Sequence, residues 1–219
     1  MGLFDRVSVV LIVSILSFLH RILWRYRTID MYTVYRTFIP FYFISSRAVV
    51  EVARVVVGKA SVSSICDIGS GSGYIAIELL KKYGELYGVA IDISREAVLV
   101  SKVNAKRFKV FDRIDIIQCR SGHCLRGSSI DVAISNPPYL PCPENWSREL
   151  CSGLGEHIYR EIALQLIRIS KRLAILSLST LSRYSRLLVA HLKGIEVYRR
   201  RAGLDEVKIY LLKKRPQHP

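Results

Sequence analysis

Val62-Ser-Ser-Ile-Cys-Asp-Ile-Gly-Ser-Gly-Ser-Gly-Tyr74 decides the fold. Val62 to Ile68 is a short apolar run of strand length, and Tyr74 to Tyr83 carries apolar residues at 75, 76, 79 and 80, the rhythm of a helix. Between them stand Gly69, Gly71 and Gly73, which let the backbone turn tightly and approach a ligand closely. A strand entering a helix through such a loop leaves helix-start amides facing outward, ready for an anionic group. The even spacing, GxGxG, differs from the GxGxxG that cradles a dinucleotide pyrophosphate.

The same alternation continues along the chain. Leu86 to Ile93 reads as a second strand, and Ser94 as the N-cap of a helix reaching about Phe108. Ile114 to Cys119 and Ile130 to Ser135 are further strands; His157 to Lys171 is an amphipathic helix and Leu173 to Leu178 a strand. Upstream, Ser46 to Gly58 has a helical apolar rhythm. Leu140 to Gly155 reads as a long loop, Ser182 to Leu192 as a helix, and Glu196 to Arg201 with Glu206 to Lys213 as a closing hairpin around Ala202-Gly203. Strand-helix alternation predicts an α/β fold: a Rossmann-like, doubly wound, mostly parallel sheet of seven strands ending in an antiparallel hairpin.

Composition sets the outer limits. With 219 residues, half of them hydrophobic, the chain suits one domain with a substantial core. We place that domain at 31–215. Five cysteines contain no CxxC pair, and the odd count argues against a secreted disulfide framework. Cys119, His123 and Cys124 match no common zinc spacing, so no metal is expected. The net charge of +15 favours polyanionic partners: RNA, a ribonucleoprotein or anionic lipid.

Residues 1–30 are an apolar segment with three readings. Val7 to Leu19 would make a helix of about 20 Å, short of the roughly 30 Å hydrocarbon core. It packs as a core or interface helix, or it associates with a membrane, with Arg21, Arg25 and Arg27 as a basic flank. Alternatively, Met31 is the true start. No small-residue cleavage site follows the segment, so the expected location is cytoplasmic, with peripheral or anchored membrane association as the second reading.

Two further features give the loop its chemistry. Asp92 ends the second strand, where a carboxylate accepts hydrogen bonds from both hydroxyls of a ribose, with Ile93 lying against a base. Asn136-Pro-Pro-Tyr139 ends the fourth strand. The Asn136 side-chain oxygen and the Pro137 carbonyl can each accept a hydrogen from a planar nitrogen, whose lone pair is otherwise delocalised. Pro137 and Pro138 restrict the backbone, and Tyr139 offers a face for stacking a planar amide or base. With the glycine loop, this reads as transfer of a methyl group from S-adenosylmethionine to a planar nitrogen. Asp67 would hold the ammonium of the methionine end. Gly69, Ser70, Gly71 and Gly73 line the cofactor, Asp92 and Ile93 hold its nucleoside, and Cys119 and Arg120 lie beyond the third strand beside it. Taken singly, an Asn-Pro pair is a turn and an Asp after a strand is a helix cap; order and spacing give them their other reading.

Over roughly 37–214 the chain resembles the HemK-like release-factor glutamine methyltransferases. Asp131-Val-Ala-Ile-Ser-Asn-Pro-Pro-Tyr-Leu-Pro141 is similar to that family's signature, and Ser152-Gly-Leu-Gly-Glu-His-Ile-Tyr-Arg160 to its glycine-rich segment. Arg200-Arg-Ala-Gly-Leu-Asp-Glu-Val207 resembles the short archaeal and eukaryotic branch. The resemblance implies methylation of the glutamine in a GGQ tripeptide of a peptide chain release factor. It also implies a small zinc-binding activator subunit covering apolar surface beside the cofactor. Two places differ from the family. Gln118-Cys-Arg-Ser121 lacks its acid, and Phe38-Ile-Pro-Phe-Tyr-Phe-Ile-Ser-Ser46 is apolar and neutral where the family is acidic. Two other classes remain beside it: an RNA adenine or guanine methyltransferase, using Arg199, Arg200, Arg201, Lys213, Lys214 and Arg215 on phosphates, and a non-enzymatic cofactor-binding or membrane-tethered adaptor.

Overall fold

The computed structural model describes residues 43–59, 61–137, 156–180, 192–202 and 205–213. They form α1 (Phe43–Lys59), β1 (Ser64–Ile68), α2 (Tyr74–Lys82), β2 (Tyr87–Asp92), α3 (Arg95–Arg107), a 3₁₀ turn (Phe111–Arg113) and β3 (Ile114–Gln118). Then come β4 (Ile130–Ser135), α4 (Glu156–Ile169), β5 (Ser170–Ser179), β6 (Ile195–Ala202) and β7 (Asp205–Leu212). The strands make one seven-stranded sheet in the order β3-β2-β1-β4-β5-β7-β6. β1 to β5 pair in parallel, and β7 enters antiparallel between β5 and β6. This is the doubly wound arrangement the sequence predicts.

Side chains alternate across the sheet. On one face Ile65, Ala90, Val132, Ile134, Ile175 and Ile209 pack with Val49, Val50 and Ala53 of α1 and Ile77 and Leu80 of α2. On the other, Ile68, Ile91, Ala133 and Leu176 pack under Ile162, Leu166 and Ile169 of α4. Burial on both faces explains why β4 is buried throughout.

Two boundaries move for physical reasons. β1 begins at Ser64, and the Ser63 amide just before it donates to a side chain, Asp131 Oδ2, rather than to a neighbouring strand. The Ser63 and Ser64 amides and hydroxyls all donate to Asp131 Oδ2, at 2.8–3.1 Å. α4 stops at Ile169, two residues short of the expected end, because Ser170 already pairs with Ile130 in the sheet. Ser94 caps α3 as predicted, its hydroxyl accepting from the Ala97 amide at 3.3 Å. The segments expected at 1–30, 140–155 and 182–191 lie outside the described residues, as do Met31, Pro138 and Tyr139. Among the described residues no helix is long and apolar enough to cross a membrane.

Candidate active site

From β1 the chain builds outward to β2 and β3 on one side, then returns to lay β4 and β5 on the other. Where the order reverses, adjacent connections diverge and leave a crevice beyond the carboxyl ends of the strands. The register puts Ile68 level with Ile91 and Ser135, so the loops after β1, β2 and β4 open into this crevice side by side. Ser135 ties the two central strands at this level, its hydroxyl donating to the Ile68 carbonyl at 2.7 Å.

The glycine loop takes the shape its sequence requires. Gly69, Gly71 and Gly73 have φ of 72°, 55° and 80°, in the left-handed region where other residues are strained. The Gly69 and Ser70 amides donate to the Ile91 carbonyl, at 2.8 and 3.0 Å. A Cβ at Gly69 would meet nothing within 4 Å, whereas one at Gly73 would lie 2.3 Å from Ser101 Oγ. The first glycine therefore borders open space, and the third is packed against α3. Gly73 also caps α2 with no side chain over the helix start.

Three polar groups at this crevice lack partners among the described residues. Asp67 is fully buried, and neither carboxylate oxygen is in hydrogen-bonding geometry with another group. Burial pushes its carboxyl up to about 7, with the nearby Ala76 amide offsetting part of the cost and the Asp92 charge adding to it. Ser70 Oγ is buried and unpartnered, and so is Asn136 Oδ1. Buried acceptors are normally satisfied, so such a concentration points to groups supplied from outside.

Asp92 faces the loop rather than standing alone. Its Oδ2 accepts from the Gly71 amide at 2.8 Å and its Oδ1 from the Ser94 amide at 2.9 Å. Burial raises this carboxyl too, and those amides oppose the shift. Each oxygen keeps a second lone pair for a further donor. Ile93 beside it is 59% exposed, an apolar surface uncovered at the strand end. Cys119 continues β3, its amide donating to the Asp92 carbonyl at 2.9 Å, and its Sγ accepts from the Cys124 amide at 3.1 Å. Arg120 is engaged differently from the expectation. Its guanidinium grips Glu161 of α4 through two bonds of 2.9 and 2.7 Å, and their pairing holds the Glu161 carboxyl down at about 2.

Asn136 shows what the sequence reading missed. Its Nδ2 donates to Ser45 Oγ and to Ser46 Oγ, both at 3.0 Å, from the first turn of α1. These serines belong to the segment noted only as apolar and neutral. No local signal marks two hydroxyls as partners of an amide so distant in sequence; only the docking of α1 brings them there.

The fold is Rossmann-like, with its crevice at the switch point of the sheet. Residues 48–145, from α1 through Asn136-Pro-Pro-Tyr139, match the family described as methyltransferase small domain. A release factor glutamine methyltransferase of Dictyoglomus turgidum is 38% identical over 96 residues, 42% of this chain and 33% of the relative. One from Aquifex aeolicus is 39% identical over 75 residues, 34% of this chain and 27% of its own. The chain thus spans a third or less of these curated relatives. Among solved structures, a human methyltransferase 10 domain-containing protein superposes with a TM-score of 0.62 at 15% identity, covering 91% of this chain and 96% of its own. The ribosomal protein L11 methylase of Lactobacillus delbrueckii subsp. bulgaricus gives 0.56 at 20%, covering 83% and 81%. At these identities the structures speak for the fold.

Proposed function

We propose that this chain is an S-adenosylmethionine-dependent N-methyltransferase whose target is the glutamine side-chain amide in the GGQ motif of a peptide chain release factor. The observation that carries the reading is the pairing of two unsatisfied acceptors at one crevice. Among the described residues, Asp67 is a buried carboxylate without a hydrogen-bonding partner and Asn136 presents a buried amide oxygen without a donor. The first suits a cationic ammonium, and the second suits an N–H of a planar nitrogen. The match to the methyltransferase small domain spans both residues, and relatives named for glutamine methylation are similar over part of the chain.

The residues fit the cofactor. Asp67 would hold its ammonium, and the bare start of α2 its carboxylate. The spare lone pairs of Asp92 would take the ribose hydroxyls, and exposed Ile93 would cover the adenine. Open space at Gly69 and the Ser70 hydroxyl line the path between, with Gly71 and Cys119 flanking it. When bound, the sulfonium supplies an electrophilic methyl group. The chain's own part is to aim the acceptor. Asn136 Oδ1 and the Pro137 carbonyl each take one hydrogen of the amide nitrogen, hold its lone pair toward the crevice and stabilise the charge that develops on it. Tyr139 would stack on the amide plane. The methyl's bond to sulfur would break as its bond to nitrogen forms, leaving the thioether S-adenosylhomocysteine, and one of the two hydrogens would then leave the acidified nitrogen for water, so no strong base is required.

A small activator subunit with an apolar docking face fits the uncovered Leu99 and Val103 of α3 and the neighbouring Phe111. The experiment is radiolabelled methyl transfer, offering the cognate release factor and total RNA to the purified chain, with and without such an activator. Label on the factor, lost when the GGQ glutamine is replaced, is the expected result. Label confined to RNA would overturn the substrate and make the basic surface its docking site.

A further inference from the structure

We infer that Ser45 and Ser46 are positioning residues: their hydroxyls fix the Asn136 side chain with its oxygen, not its nitrogen, facing the acceptor. The inference rests on the proposed role of Asn136 and adds what sets its orientation.

A carboxamide can rotate to exchange its oxygen and nitrogen, and the two orientations have opposite chemistry. With Oδ1 outward the site takes an N–H donor; with Nδ2 outward it would take a carbonyl or ring nitrogen. In the observed orientation both hydrogens of Nδ2 have acceptors, Ser45 Oγ and Ser46 Oγ, each at 3.0 Å. Only Oδ1 is left, buried and unpartnered. The exchanged orientation would put the NH₂ where Oδ1 now lies, with no acceptor among the described residues. A buried N–H left without a partner is rarer and costlier than an under-used carbonyl oxygen, which keeps part of its capacity idle at small cost. The pair of hydroxyls therefore selects the orientation that receives a donor.

The support is rigid. Ser45 is 1% and Ser46 5% exposed, and they lie on α1, whose Ala48, Val49, Val50 and Ala53 are sunk in the core. Two consecutive residues on a helix point about 100° apart, so both hydroxyls can converge on one nitrogen only if the helix start is held against it. A single serine would satisfy one hydrogen and leave the amide free to pivot. The adjacent pair removes that freedom. Neither residue touches the reacting atoms, so their effect runs through Asn136.

The test is the double variant Ser45→Ala/Ser46→Ala, with Ser45→Thr/Ser46→Thr as the conservative comparison. In the free protein, the Asn136 side-chain amide protons should exchange slowly with solvent by NMR. Exchange should accelerate at least about tenfold in the alanine pair and stay slow in the threonine pair, with circular dichroism confirming the fold. In methyl transfer the alanine pair should lose about 100-fold in kcat, the scale of a misaligned reacting group, with the cofactor Kd within twofold. Threonine should restore most of the loss. An alanine pair with unchanged amide exchange and wild-type kcat would overturn the inference while leaving Asn136 in place. Normal transfer by Asn136→Ala is a separate failure, that of the site reading itself.

Discussion

Replacing Asp67 with asparagine is expected to strengthen the fold while disabling ligand binding. The carboxyl is fully buried with no partner in hydrogen-bonding geometry among the described residues, and burial, only partly offset by the nearby Ala76 amide, lifts it from the ordinary 3.8 to about 7. Between those values the folded chain keeps a proton that the unfolded chain has released. Stability therefore falls as pH rises from about 4 to about 7, and levels off above. The full gap corresponds to roughly 4 kcal/mol at 1.36 kcal/mol for each pH unit. Asparagine carries no charge to bury, but its own NH₂ is left poorly satisfied, taking back about 2 kcal/mol. The net gain at pH 8 is then about 2 kcal/mol, or roughly 4–8 °C in Tm for a domain of this size. The assay is thermal unfolding of both proteins from pH 4 to pH 8.5, with calorimetric titration of S-adenosylmethionine at pH 8. The wild-type curve should decline with pH and the variant should be flatter, crossing above it near neutrality. The variant should bind the cofactor at least tenfold more weakly. A variant less stable at pH 8, with the wild-type pH slope intact, would refute the reasoning, because Asp67 would then have a partner that stabilises its charge.

Other substitutions probe separate parts of the frame. Asp131, held by Ser63, Ser64 and Lys171, has its carboxyl brought down to about 2 although burial alone would raise it. Its stabilisation is present above about 4 and lost as pH falls through 2, so Asp131→Asn should cost roughly 2 kcal/mol in urea unfolding at pH 7, with the gap closing toward pH 2. An unchanged gap across that window would show that the carboxylate charge is not what holds β1. Gly73→Ala should destabilise by about 1–3 kcal/mol through its positive φ and the clash with Ser101 Oγ, and adding Ser101→Ala should recover the clash but not the backbone strain. Asp92→Asn should weaken cofactor binding about tenfold or more, since one oxygen now contacting an amide N–H becomes an NH₂ facing it. Wild-type affinity in that variant would remove the ribose role.

What could be read from the chain follows from the range of each interaction. The loop from Asp67 to Gly73 is local: its glycines appear in the sequence because positive φ is required where they stand, and the structure places all three there. The strands of the parallel core were legible as continuous apolar runs because both faces are buried. The placing of Asp92 and Asn136 at strand ends, and of Ser94 as a helix cap, was also legible, since each ends or follows a recognisable element. Three features were not. Asp131 reads as the second residue of a strand, yet it fastens the start of β1 through serines of no particular pattern. Arg120 looked free to meet a ligand, but the packing of α4 brings Glu161 against it. Ser45 and Ser46 carried no reading of their own within a segment noted as apolar and neutral. In each case the partner lies dozens of residues away, and only tertiary packing decides the pairing.

The link between α1 and Asn136 has a consequence for a chain still being made. α1 leaves the ribosome before the described strands of the sheet, but the core it packs into includes Ile175 of β5 and Ile209 of β7, the last of those strands. Until those arrive, the helix lacks much of the surface that seats it, and its serines cannot reach the amide they hold. The glycine loop and Asp92, by contrast, lie within the stretch from β1 to β2. The residues proposed to grip a methyl donor are thus synthesised well before the surface that seats the proposed aiming group is complete.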